Sequence, residues 1–279
     1  MNRTKKNTSR KPNPSELRHR INAGLVAVKS QIAFFESQFG RVESQWKEDD
    51  TRVTFADFAI SEKVFAELRS SFPDDDYCSE ESNPDDEEIT LDAEYAWLID
   101  PIDGTNNFAL GIPMCSISLA LLRHGEPIYG YIYDYARRVI VHGGEGEGVT
   151  DGTRKGKVNT SDPTTQTHFA TNFPFTGKDM DLARTLFERY RVRCFGSAAL
   201  NLAYTATGKL DACLDFRVKV WDVAAGFAMI KAGGGEIRYF GAPTFPLKSF
   251  HVRMPAMRYV AGNPKFCQLA SDVLGGEQG

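Results

Sequence analysis

No lysine or arginine occurs between Arg69 and Arg123. The same stretch carries Asp74, Asp75, Asp76, Glu80, Glu81, Asp85, Asp86, Glu87, Glu88, Asp92, Glu94, Asp100 and Asp103. Crowded carboxylates repel one another and hold their protons unless a cation joins them. With no basic side chain nearby in sequence, a metal ion is the economical counter-charge. Long apolar runs are absent too. None approaches the roughly 20 residues that span a bilayer, so no helical membrane protein is expected. Residues 1–14, with Arg3, Lys5, Lys6, Arg10 and Lys11, lack the apolar core of a signal peptide and read as a disordered basic tail. Cysteine is sparse: Cys78, Cys115, Cys194, Cys213 and Cys267 form no Cys-x-x-Cys pair. That excludes a zinc–thiolate motif and a disulfide framework, and suits reduced thiols in a cytoplasmic protein. The five histidines are isolated, so none is assigned to a metal. The glycine-rich run from Gly143 to Gly148 lacks the Gly-Lys-Ser/Thr ending of a P-loop and reads as a hairpin turn.

What is present fits a globular protein of 279 residues with 42% hydrophobic and 25% charged residues, enough for one large core or two lobes. The net charge of −4 disfavours a nucleic-acid partner. Leu17, Ile21, Leu25, Val28, Ile32, Phe35 and Phe39 recur at helical spacing. A second helix is expected over 54–68. Strands are expected over 95–99, 116–122, 127–133 and 139–142. Beyond residue 150 the pattern alternates: strands at 168–171, 192–195, 210–216 and 258–261, helices at 179–190, 197–207, 220–232 and 264–274. The fold class is therefore mixed α and β. Two lobes are expected, 15–150 and 151–279, sharing one extensive interface.

Four motifs concentrate the chemistry. Trp97-Leu98-Ile99-Asp100-Pro101-Ile102-Asp103-Gly104-Thr105 delivers two acids at the end of an apolar strand, followed by a glycine that permits close approach and a hydroxyl. Hard divalent cations take carboxylate oxygens. A Gly-Thr turn offers N–H groups to an anion. Metal and phosphate together point to phosphoryl transfer or phosphate hydrolysis. Thr54-Phe55-Ala56-Asp57 reads as a capping box, or as Asp57 orienting a water. In Ser79-Glu80-Glu81-Ser82 adjacent carboxylates on a strand face opposite ways, so only one is expected at the site. Trp221-Asp222-Val223-Ala224-Ala225-Gly226 opens an apolar helix, with Asp222 either favoured by the helix dipole or closing the site as a distant ligand.

Taken in order, these motifs resemble the inositol monophosphatase family of Mg²⁺-dependent, lithium-sensitive sugar phosphatases, from about Leu17 to Ala270. The resemblance implies a five-layer α-β-α-β-α sandwich and two or three Mg²⁺ ions per site. It implies that Glu80, Asp100, Asp103 and Asp222, with the carbonyl of Ile102, bind metal. Glu80 and Asp100 would hold the ion that activates water. Asp57 and Thr105 would orient the nucleophilic water through a mutual hydrogen bond. The N–H groups of Gly104 and Thr105 would cradle phosphate. Asp103, Gly196, Ser197, Ala198 and Asp215 would meet the substrate. Lys47 resembles a family lysine upstream of Asp57.

The chain departs from the family pattern in places. Ser79 stands where glycine often precedes the acid pair, and Asn106 where threonine is usual. Asp215 stands where inositol-specific relatives carry a glutamate that contacts the sugar. The implied activity is hydrolysis of a small phosphorylated metabolite, inositol 1-phosphate first, with no nucleic acid or membrane partner and with a homodimer. Fructose 1,6-bisphosphate, histidinol phosphate and 3′-phosphoadenosine 5′-phosphate are relatives' substrates. Two alternatives stand beside it. One is a haloacid dehalogenase-type phosphatase with Asp100 as nucleophile, which the two-residue gap to Asp103 fits poorly. The other is a catalytically silent, metal-binding regulatory protein.

Overall fold

A computed structural model describes residues 13–42, 44–46, 52–82, 85 and 87–275. Most of the basic tail, and Lys47, lie outside the described residues. Helices α1 (Pro14–Gln38) and α2 (Phe55–Ser71) flank a ribbon of β1 (Ser44–Trp46) and β2 (Arg52–Thr54). Then come β3 (Asp76–Ser79), β4 (Ile89–Thr90), β5 (Tyr95–Asp103) and the short α3 (Thr105–Leu110). Next are β6 (Ser116–Arg123), β7 (Glu126–Asp134), β8 (Val139–Gly144), β9 (Gly148–Asp151) and β10 (Arg154–Gly156). These form a seven-stranded sheet in the order β10-β9-β8-β7-β6-β5-β3. The chain continues through β11 (His168–Ala170), α4 (Gly177–Arg189), β12 (Arg191–Arg193), α5 (Ala198–Ala206) and β13 (Ala212–Val218). It ends with α6 (Val220–Ala232), β14 (Glu236–Tyr239), β15 (Ser249–Phe250), β16 (Met257–Gly262) and α7 (Pro264–Gly275). The second sheet runs β12-β11-β13-β16-β14, and β15 pairs with β4.

The packing is a five-layer sandwich, as expected. Helices α1 and α2 cover one face of the large sheet, where Phe35, Ile60 and Leu68 meet Trp97, Ile99 and Leu119. Helices α5 and α6 fill the space between the sheets, so their residues are buried nearly all round. Helices α4 and α7 cover the far face of the small sheet around Phe169, Leu214 and Phe266. Buried on both faces, β5 reads as an apolar run rather than an alternation. Trp97 and Ile99 point to α1 and α2, while Ala96 and Leu98 point to α5 and α6.

Local chemistry sets the boundaries. Asn13 caps α1 by accepting the N–H of Ser15 at 3.1 Å, with Pro14 at the first turn. The polar β14 has no apolar run to announce it, and β9 and β10 are too short and polar to stand out; the sequence reading passes over all three. The large sheet therefore takes in the chain as far as Gly156. Among the described residues no helix is long and apolar enough to cross a membrane. All five cysteines are free, with Cys194 alone exposed.

Candidate active site

The two acids of the central motif lie within β5 rather than in a turn after it. In a regular strand, residues three apart point to opposite faces. Here the pairing with β6 shifts register between Asp100, opposite Ser118, and Asp103, opposite Ser116. That irregularity brings both carboxylates to the inner face, toward the middle helices. Asp100 accepts the N–H of Ile102 at 3.1 Å. Glu80 sits in the turn just past β3, not on the strand, and its N–H donates to the Ile99 carbonyl at 3.2 Å. The parallel pairing of β3 with β5 thus sets Glu80 beside Asp100. Ser79 fixes this turn: its hydroxyl accepts the N–H of Glu81 at 3.0 Å and lies 2.8 Å from the Ser61 hydroxyl on α2.

Asp222 arrives from the other side of the sequence, in the first turn of α6, where it accepts the N–H of Lys219 at 2.7 Å. Oxygens of Glu80, Asp100 and Asp222 lie within 4.8 Å of one another. Burial, Glu80, Asp103 and Asp222 drive Asp100 well above the ordinary carboxylate range. Asp222 keeps some exposure as a residue, yet enclosure of its carboxyl, with Glu80 and Asp103 nearby, raises it in the same way.

Other acids of the basic-free stretch find distant cations: Asp75 pairs with Arg20, and Glu94 with Arg123. Among the described residues no lysine or arginine pairs with Asp100, Asp103 or Asp222, and the Lys219 ammonium donates to the Met254 carbonyl instead. An all-oxygen, hard donor set with uncompensated buried charge fits Mg²⁺ or a similar dication.

Asp103 is directed to α5. It accepts the Ser197 hydroxyl, the N–H of Ala198 at 3.1 Å, the N–H of Ala199 at 3.0 Å and the Ser116 hydroxyl at 3.2 Å. Burial raises its pKa to about 6, and those four donors hold it from going higher. The donors of Ser197 and Ala198 that were expected at the substrate are therefore engaged inside the protein. The N–H of Gly196 is likewise bound, at 3.2 Å, by the Asn172 carbonyl. Asp215 is 5% exposed and accepts from Asn172 and from the N–H groups of Phe216 and Arg217.

Asp57 makes the full capping box of α2, accepting the N–H of Thr54 at 2.7 Å and its hydroxyl at 2.6 Å. Burial pushes Asp57 up to about 8, against the Thr54 hydrogen bond, and Glu81 and Glu80 both add to the rise. The Thr105 hydroxyl donates to the Ile102 carbonyl at 2.8 Å, the carbonyl expected to face a cation. Gly104 caps α3 with φ of 84°, and a Cβ there would come 2.9 Å from the Met114 carbonyl. Only glycine fits that conformation in that space.

Two asparagines that the sequence reading leaves unassigned complete the site. Asn107 donates to the carbonyls of Met114 at 2.8 Å and Phe195 at 2.7 Å, joining α3 to the turn before α5. Asn172 joins Asp215 to that same turn. Their contacts span 88 and 43 residues, and no local pattern signals them.

A model of the inositol monophosphatase family matches residues 19–271. The chain is 31% identical over 225 residues to the Nus factor SuhB of Pasteurella multocida, covering 78% of this chain and 83% of that one. It is 33% identical over 206 residues to the fructose-1,6-bisphosphatase/inositol-1-monophosphatase of Thermotoga maritima, covering 72% and 77%. Among solved structures, a Thermotoga maritima IMPase superposes with a TM-score of 0.79 at 26% identity, covering 92% of this chain and 97% of that one.

Proposed function

The chain belongs to the inositol monophosphatase family, and we propose that it is a Mg²⁺-dependent phosphomonoesterase acting on a small sugar or polyol phosphate. The observation that carries this reading is the convergence of Glu80, Asp100 and Asp222 from three separate elements, with no basic partner for Asp100 or Asp222 among the described residues. Those three carboxylates, with Asp103 and the Ile102 carbonyl, would hold two or three Mg²⁺ ions. Bound divalent cations acidify water and neutralise phosphate charge.

The chain's own groups do the rest. Asp57 and Thr105 would orient the attacking water. The N–H groups of Gly104 and Thr105 hold phosphate. The Gly196-Ser197-Ala198 turn and Asp215 border the leaving alcohol. A homodimer in the cytoplasm belongs to the same reading.

Inositol 1-phosphate is the first substrate to test. The name of the Thermotoga maritima relative adds fructose 1,6-bisphosphate, and histidinol phosphate and 3′-phosphoadenosine 5′-phosphate complete the panel. Membership of this family favours metal-activated water over a covalent phospho-aspartate at Asp100. The deciding experiment is phosphate release over that panel with Mg²⁺, with and without Li⁺. Release that requires Mg²⁺ and falls with Li⁺ supports the proposal. No release from any substrate would favour the second reading, a metal-binding regulatory protein. The name Nus factor carried by the Pasteurella multocida relative motivates that reading.

A further inference from the structure

Both oxygens of Asp215 are engaged within the protein. One accepts the N–H groups of Phe216 at 2.8 Å and Arg217 at 3.2 Å, and the other accepts the Asn172 side-chain amide at 3.0 Å. The Asn172 carbonyl accepts the N–H of Gly196 at 3.2 Å and the amide of Asn201 at 3.3 Å. Chemistry fixes the orientation of this amide: an ionised carboxylate only accepts and a main-chain N–H only donates, so nitrogen faces Asp215 and oxygen faces Gly196.

The turn it holds has φ of 71° at Gly196, and a Cβ there would lie 2.9 Å from the Asn107 amide. Asn107 grips the Phe195 carbonyl from the other side. The next residue, Ser197, caps α5 and donates to Asp103. A continuous line of hydrogen bonds therefore runs from Asp215 through Asn172 and the Gly196 turn to Asp103, beside the acid cluster.

We propose that Asn172 is a positioning residue for the hydrolysis. With Asp215 as its anchor it fixes the Gly196 turn and aims the N-terminus of α5 at Asp103. Asp215 acts on the turn through Asn172. The proposal rests on the phosphatase reading above for its kinetic part only.

Three variants test it: Asn172→Ala, Asp215→Asn, and the exchange variant Asn172→Asp/Asp215→Asn. In Asp215→Asn two amide donors face each other and one must turn; when Asn172 turns, Gly196 and Asn201 lose their acceptor, and when the amide at 215 turns, the anchor's bonds to Phe216 and Arg217 are lost. In the exchange variant the amide at position 215 donates to the carboxylate at position 172, which still accepts from Gly196 and Asn201. Each single variant is expected to lower kcat roughly ten- to hundredfold. KM should stay within about threefold, and the exchange variant should return kcat to within about fivefold of wild type.

Hydrogen exchange of the Gly196 amide in the metal-free protein is the second readout. It should accelerate by about tenfold or more in both single variants and recover in the exchange variant. This readout holds whatever the chain hydrolyses, so an inactive wild type would sink the phosphatase reading while leaving the clamp measurable. An exchange variant as impaired as the singles, or Asp215→Asn raising KM with Gly196 exchange unchanged, would overturn the proposal. Should Asp215→Asn fail to fold, the exchange variant decides alone.

Discussion

Asp103 accepts the N–H of Ala199 at 3.0 Å across 96 residues of sequence. The end of β5, which lies next to the edge strand β3 of the large sheet, thus caps the helix that packs between the two sheets. A carboxylate is favoured at a helix N-terminus by the free N–H groups and the dipole.

Ser197→Ala tests this joint. The hydroxyl accepts the N–H of Leu200 at 3.2 Å as the N-cap and donates to Asp103. Its loss should cost about 1–2 kcal/mol in urea unfolding. It should also weaken Mg²⁺ binding, because Asp103 loses a donor that opposes its protonation. Unchanged urea midpoint and Mg²⁺ affinity would detach Asp103 from both roles.

The raised acids make stability depend on pH with a definite sign. An unfolded aspartate titrates at about 3.9. In the folded protein Asp103 and Asp215 titrate at about 6 and Asp57 at about 8. Between these values the folded state binds more protons than the unfolded one, so stability falls as pH rises. The metal-free protein should therefore lose Tm steadily from about pH 4 to about pH 8. Asp57→Asn should lessen the fall over the whole range from about 4 to about 8, most visibly above about 6, where Asp103 and Asp215 have already released their protons in the folded state. Mg²⁺ competes with protons for the cluster, so it should raise Tm more at about pH 8 than at about pH 6. A Tm that climbs with pH in the absence of metal would contradict these assignments.

Asp100→Asn and Asp222→Asn should separate stability from function. Each removes an acid that must take up a proton on folding at neutral pH, so the metal-free protein should gain stability there, on the order of 1 kcal/mol. Each also removes an oxygen donor from the cluster, so the Mg²⁺-induced rise in Tm should shrink to near zero. Thermal melts with and without Mg²⁺ check both halves, and a full Mg²⁺ shift in either variant would remove that residue from the site.

The sequence displays the parts of this site more readily than their connections. The spacing from Leu17 to Phe39 is legible because α1 has one core face, and β5 is legible because burial on both faces leaves an apolar run. The acids stand out because no basic residue shares their stretch. Glu80 is misplaced by strand logic because β3 ends at Ser79 and a turn sets its direction. Asp215 looks like a substrate contact by its position before Asp222. Whether its oxygens are free depends on Asn172, 43 residues away. The bulge between Asp100 and Asp103 is set by pairing with β6 and leaves no mark of its own.

A control lies at the opposite end of β3 from Glu80. Asp75 binds Arg20 through two hydrogen bonds of 2.8 and 2.9 Å and accepts the Trp97 indole N–H at 3.0 Å. Asp75→Ala leaves a mostly buried guanidinium and an indole N–H without partners. The expected cost is about 3–5 kcal/mol in urea unfolding, with Mg²⁺ affinity unchanged. A loss of Mg²⁺ affinity as large as that in Asp100→Asn would mean that the acid cluster is not a local site.

The most direct test is the Mg²⁺ dependence of phosphate release from the best substrate of the panel, measured for the wild type beside Asp222→Asn. Release that saturates with Mg²⁺ in the wild type and is abolished in the variant is the predicted result. Equal release from both proteins, or wild-type release that persists in excess chelator, would contradict it.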